Sequence, residues 1–291
     1  MEVSVRTRLQ IVGAALLFST GGAAVKAATL TGWQVASFRS GLAAIVLLAA
    51  LPAARRGWSW RMMPVAVAYA ATLILFVLAN RLTTAANAIF LQATAPLYVL
   101  LLGPWLLHER VRRDHIFYIA AVALGLALFF IGRDPAVATA PDPPRGNMLA
   151  LASGVTYAVM LAGLRWQGMH SEPGAGLKTA VAGNVLAFLV ALPAALPVRG
   201  LSTTDAAVIL YLGLFQVGLA YWLLTRAIRH VPAFEATTML QLEPAMSPFW
   251  TWLLHRETPT LWAMAGGVLI ILATLLNTWR NRRIAAIGEN I

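Results

Sequence analysis

The sequence contains no cysteine, and its 291 residues include only 22 basic and 11 acidic side chains. The first absence excludes disulfides, an iron–sulfur cluster and any thiolate metal site. Zinc would then depend on histidines and carboxylates. The five histidines, His108, His115, His170, His230 and His255, sit near the ends of apolar runs, and no two share the i,i+4 spacing of a metal-binding helix. Neither a metal nor another cofactor is expected.

The scarcity of charge excludes more. Charged residues make up 11 % of the chain and apolar ones 59 %, against about 25 % and roughly 45–50 % in soluble domains. A soluble fold of this length must cover itself with charge, so the missing polar surface implies a lipid bilayer as partner. A net charge of +11 would suggest nucleic acid if the basic residues formed one patch. Here they are dispersed between apolar stretches, and nucleic-acid binding is not expected.

What is present is a series of ten apolar runs, each close to the roughly 20 residues a bilayer-crossing helix needs. They fall near 9–28, 33–54, 62–80, 84–107, 115–132, 146–166, 177–197, 205–226, 232–254 and 260–279. The first run carries Lys26 and has nine comparable runs behind it, so it is expected to remain as a helix rather than serve as a cleaved signal. With a cytoplasmic N-terminus, fifteen Lys/Arg fall inside and five outside, while Lys26 and Arg39 lie within spans. That bias satisfies the positive-inside rule and puts both termini in the cytoplasm. Most tryptophans lie near span ends, as interfacial belts require.

Laid on itself with a shift of 148 residues, the chain shows two similar halves. Pro96-Leu-Tyr leads to Trp105-Leu-Leu-His-Glu109 in the fourth run, and Pro244-Ala-Met leads to Trp252-Leu-Leu-His-Arg-Glu257 in the ninth. Five runs precede the Pro-rich link and five follow it, so the halves insert with opposite orientation. The expected fold is all-α and integral to the membrane, with ten transmembrane helices in two inverted five-helix repeats. The expected boundaries are 1–134 for the first repeat, 135–145 for the link, 146–279 for the second repeat and 280–291 for a basic cytoplasmic tail. Such repeats are a common transporter architecture, with the substrate site at the repeat interface near the midplane.

At these residues the chain resembles the drug/metabolite transporter superfamily, EamA branch, over essentially its whole length. The resemblance rests on Gly13-Ala-Ala-Leu-Leu-Phe-Ser-Thr, Phe38-Arg39, Gly146-Asn-Met-Leu-Ala-Leu and the two Pro…Glu segments. One departure is Leu17-Phe18-Ser19, where members often have Trp after the Leu. Among members the chain looks most like amino-acid exporters, aromatic ones especially. The resemblance implies a bacterial inner-membrane exporter whose cavity is lined by the first, third and fourth helices and by the sixth, eighth and ninth.

Midspan polar side chains are costly in hydrocarbon and usually face the bundle interior or a wet cavity. On the fourth run, Asn87, Thr94 and Tyr98 would share one face of a continuous helix, with Gln92 about 140° away. Asn87 and Thr94 fit either cavity lining or helix–helix bonding, whereas Tyr98 is the better substrate contact. Glu243 is the one carboxylate near the middle of any run, and Gln241 lies beside it. It could bind an ammonium group or carry a proton, or simply pair with Arg39 or Lys26. Ser19, Thr20, Tyr69, Tyr157, Gln216 and Tyr221 complete the candidate substrate contacts. Pro96 and Pro244 each remove a backbone donor and are candidate hinges.

These features suit export by alternating access of a small neutral amphipathic solute, an amino acid above all, through a neutral-looking cavity. A sugar-phosphate or nucleotide-sugar carrier should present several cations to phosphate, and only Lys26 and Arg39 lie within the runs. An integral-membrane enzyme should carry clustered acids, histidines or a nucleophile with its base, and no such motif is found. Oligomeric state leaves no trace in the sequence.

Overall fold

The computed structural model describes residues 5–55, 58–106, 115–131, 136–170, 174–227 and 239–288. Among these the chain is helical, and its only extended pairing is an isolated bridge between Val137 and Ala140. The first run is two helices, α1 (Val5–Ser19) and α2 (Gly21–Ala27), followed by α3 (Gly32–Ala50), α4 (Met63–Leu82), α5 (Ala85–Gln92), α6 (Ala95–Leu106) and α7 (His115–Ile131). The second half contributes α8 (Pro143–His170), α9 (Ala175–Ala195) and α10 (Thr203–Tyr211). A π-helical segment (Leu212–Leu219) joins α10 to α11 (Ala220–Ala227), and α12 (Leu242–His255) and α13 (Leu261–Gly288) complete the chain.

Six helical stretches are long and apolar enough to cross a membrane: Val5–Ala27, Gly32–Ala50, Trp60–Leu82, Pro143–Leu164, Ala175–Ala195 and Thr203–Leu224. Shorter apolar helices cover Ala85–Leu101, His115–Ile131 and Leu261–Asn277. The first part of the ninth run, with Glu235, lies outside the described residues. The outer faces are apolar, with Ile45, Phe117, Val190 and Leu276 all exposed, an arrangement suited to lipid rather than water.

Helix ends follow local chemistry. Thr31 and Gln34 form a capping box at the start of α3, and Ser202 and Asp205 form another at the start of α10. Two helices run past the segment bounds expected for the link and the tail. Pro143 and Pro144, at the end of the link, open α8, because proline fits the first helical turn, where no donor is needed. The expected tail from residue 280 continues α13 as far as Gly288.

The fourth run is also not one helix. It stops at Gln92, turns through Ala93 and Thr94, and restarts at Ala95. Pro96 offers no N–H to Gln92, and the Thr94 hydroxyl donates to the Leu91 carbonyl at 2.6 Å, so a side chain takes over an acceptor freed by the interruption. In the second half the chain turns at Gln241, just before Pro244. A shift of 148 residues sets Gln241 on Ala93, so both breaks fall at one position of the repeat.

The packing repeats as well. Helix α4 packs on α8, and α11 packs on α1. The α5–α6 pair packs on α8, and α12 packs on α1. Helix α4 also meets α9, and the π segment meets α3, while α3–α9 and α7–α13 are pairs between corresponding helices. Exchanging the first five runs for the last five carries each of these contacts into another of the set, except α3–α9 and α7–α13, which map onto themselves. The core is thus built between the halves.

Candidate functional site

The central cavity has a volume of about 70 Å³. Its walls come from α1 (Phe18), α3 (Arg39), α4 (Tyr69, Thr72, Leu73, Phe76), α5 (Gln92), α8 (Tyr157, Met160), the π segment (Gln216, Val217), α11 (Tyr221) and α12 (Glu243). These are the first, third, fourth, sixth, eighth and ninth runs, with the second added through Arg39.

Each polar wall residue is seated by its surroundings. Tyr69 lies against Gly183, where any Cβ would stand 2.5 Å from its ring, so only glycine lets α9 approach this closely. Its hydroxyl accepts from Asn184 Nδ2 at 3.3 Å. Tyr221 leans on Tyr69 with ring centroids 5.7 Å apart and meets Phe18 edge-to-face at 5.1 Å. Such contacts fix ring orientation. Gln92 donates to Ser153 Oγ at 2.6 Å, and the hydroxyls of Thr72 and Thr156 lie 3.0 Å apart, so α4, α5 and α8 are joined by hydrogen bonds beside the cavity. Gln216 is carried by the π segment, whose wider turn re-aims side chains and recurs at functional sites.

Two charged groups line this space. Arg39 is 1 % exposed; its Nη2 donates to the Leu73 carbonyl at 3.1 Å, and its Nε has no partner. Glu243 stands in the first turn of α12, where the positive end of the helix dipole favours a carboxylate. Among the described residues neither takes part in an ion pair. The neutral-looking cavity expected from the sequence, with Glu243 in its wall, is corrected at one residue: the Arg39 guanidinium lines it as well. The pairing considered for Glu243 is not formed, because Lys26 is bound to Glu257 at 2.9 Å and Arg39 to a backbone carbonyl.

Of the sequence candidates, Tyr69, Gln92, Tyr157, Gln216, Tyr221 and Glu243 meet in this cavity. The others lie elsewhere. Ser19 accepts from Trp250 Nε1 at 2.8 Å, tying α1 to α12, and Thr20 lies 2.7 Å from the Tyr211 hydroxyl. Asn87 is fully buried and donates to Thr83 Oγ1 and Asn147 Oδ1. Tyr98 and Gln241 are half-buried outside the cavity lining, as is Pro96, and Pro244 is buried. The shared face expected for Asn87, Thr94 and Tyr98 presupposes an unbroken helix; the run is interrupted at Ala93–Thr94, and of its polar residues Gln92 lines the cavity.

Arg39 and Phe18 are cavity residues that sequence reasoning did not select. A signal for Arg39 existed, since it is one of two cations inside the runs. Phe18 had one too, being the residue at which the first run departs from the family pattern.

A separate polar cluster ties the end of α2 to the start of α5 and to the segment after α12. Lys26 and Glu257 are each 2 % exposed in their side chains. The Lys26 ammonium also donates to the carbonyls of Thr83, at 2.9 Å, and Thr139. Glu257 accepts from the Ala85 amide at 2.6 Å, one of the unpaired donors that open α5. Arg256 reverses the chain at the end of α12 with φ 54°, which brings Glu257 back under α5. Nearby, Asp205 accepts from the Thr29 amide and hydroxyl, both at 2.6 Å.

The model of the EamA-like transporter family matches residues 7–131 and again 144–279. A search of curated proteins finds no match. Among solved structures, one crystal structure, described only as a protein, aligns with a TM-score of 0.61 over 96 % of this chain and 98 % of its own, at 20 % identity. That likeness concerns the fold.

Proposed function

The chain belongs to the EamA-like transporter family, a multi-pass membrane family of transporters rather than enzymes, and on that premise we propose that it exports small amphipathic metabolites, amino acids foremost. Aromatic and other neutral amino acids are the favoured cargo, as in the aromatic amino-acid exporters the sequence resembles. The two family copies form inverted five-helix repeats, 1–134 and 146–279, joined by the Pro-rich link and followed by the basic tail. The ten helices sit in a bacterial inner membrane with both termini in the cytoplasm, and the repeats rock about the cavity so that it faces one side at a time.

The observation that carries this reading is the composition of the cavity. Both halves contribute walls, and these combine aromatic rings with polar groups left without partners. Tyrosines suit an apolar side chain while offering hydroxyls to its polar end. A sugar-phosphate carrier is less well supported, since Arg39 is the one cation among the lining residues and Lys26 is engaged by Glu257.

The test is uptake by proteoliposomes holding the purified chain, with a panel of labelled amino acids and a phosphorylated sugar, with and without a pH gradient. Saturable movement of apolar or aromatic amino acids is expected. Gradient dependence distinguishes proton-coupled from facilitated transport, and exchange of the phosphorylated sugar alone overturns the choice of cargo.

A further inference from the structure

The Arg39 guanidinium and the Glu243 carboxylate line one small cavity, yet among the described residues each lacks an ionic partner. Gln216 Oε1, 6 % exposed at the residue level, also has none. Removing charges from water is repaid only by opposite charge and hydrogen bonds. A guanidinium and a carboxyl group on the wall of one cavity, neither with an ionic partner among the described residues, are thus an incomplete arrangement, one that a solute bearing complementary groups completes.

Resting on the transporter reading above, we propose that the cavity holds its cargo as a zwitterion. The cargo carboxylate lies on Arg39, which offers a donor fork suited to a planar anion. Its ammonium lies between Glu243 and Gln216 Oε1. The apolar side chain lies against the ring wall of Phe18, Tyr69 and Tyr221. Charge matching excludes other classes. A phosphate ester would leave Glu243 facing an anion, and an organic cation without a carboxylate would leave Arg39 bare. Only a dipolar, net-neutral solute satisfies both groups at once.

The experiment uses the full chain in phosphatidylethanolamine/phosphatidylglycerol vesicles. Leucine and phenylalanine are compared with their amides, which lack the carboxylate, and their N-acetyl forms, which lack the ammonium. The parent protein is expected to prefer each amino acid over both analogues by roughly ten- to hundredfold in kcat/KM, the range that loss of one charged hydrogen bond gives. Glu243→Gln should collapse the preference over the N-acetyl form and keep the preference over the amide. Arg39→Gln should do the reverse, and Arg39→Lys should retain part of the preference over the amide. A purely structural role would lower all three probes together. Should Arg39→Gln not fold, as judged by monodispersity in detergent, Glu243→Gln and Arg39→Lys still decide the matter. If the parent carries the amino acids but carries both analogues equally well, the zwitterion site is wrong and the exporter reading stands. If it carries no amino acid and exchanges only a phosphorylated sugar, both fall.

Discussion

Replacing Lys26 with methionine removes one partner of a buried ion pair and leaves the Glu257 carboxylate, 2 % exposed, without its cation. Breaking a pair in this way costs about 3–5 kcal/mol, whereas replacing both members by apolar groups of similar volume is often neutral. Recovery in the double variant Lys26→Met/Glu257→Leu is incomplete here. Glu257 also accepts from the Ala85 amide at 2.6 Å, and a buried donor left unpaired costs about 1–3 kcal/mol. The order of stability is therefore parent, then double variant, then Lys26→Met. Thermal unfolding in detergent, followed through the ten tryptophans, reads that order. Because the chain has no cysteine, a single Met160→Cys places a label site on the cavity wall in an otherwise silent background. Loss of Lys26 should raise labelling of that site by an impermeant maleimide added from the side of the Lys26 cluster. An unchanged melting point and unchanged labelling in Lys26→Met, or a double variant no more stable than the single one, would refute the prediction that this pair holds that end of the bundle together.

Further outcomes follow from the packing. Gly183→Ala drives a methyl to 2.5 Å from the Tyr69 ring; overpacking of this kind costs about 1–3 kcal/mol, and uptake assays should show loss of transport with the Tyr69 ring displaced. Gly21→Ala meets Gln216 Nε2 at 2.7 Å, a movable side-chain end, so the protein should fold normally while substrate KM changes. Trp250→Phe deletes the indole N–H bonded to Ser19 at 2.8 Å and should lower stability by about 1 kcal/mol, visible as a small drop in melting temperature. Asp205→Ala removes the reciprocal half of the Ser202 capping box and the Thr29 bonds, for a loss of roughly 2 kcal/mol measured the same way.

Elements whose cause is local were legible in the sequence. Apolar length locates the runs, and Pro96 and Pro244, with the repeat around them, mark where helices break, because a missing N–H acts within one turn. Residues whose role depends on a distant neighbour were not. Nothing near Lys26 in the chain announces Glu257, and nothing near Arg39 announces that its guanidinium reaches the cavity through α3. Asn87 and Tyr98 show the cost of carrying a helical period through a proline: the run is interrupted at Ala93–Thr94, and neither residue lines the cavity. Tyr69, Tyr221 and Glu243, which line the cavity, stand out in the sequence because polarity inside an apolar run is itself a signal, whatever surrounds it.

The exchange of contacts between the halves describes a frame with no preferred direction. The charges within it do not share that symmetry. The cation comes from α3 in the first half and the carboxylate from α12 in the second, and across the 148-residue shift Ala95 stands where a second Glu243 would be. A dipolar cargo arriving from one side of the membrane meets this pair in one order and, from the other side, in the reverse order. The half-saturation concentrations at the two faces should therefore differ, while the concentration ratio reached at equilibrium is fixed by whatever gradient drives the cycle.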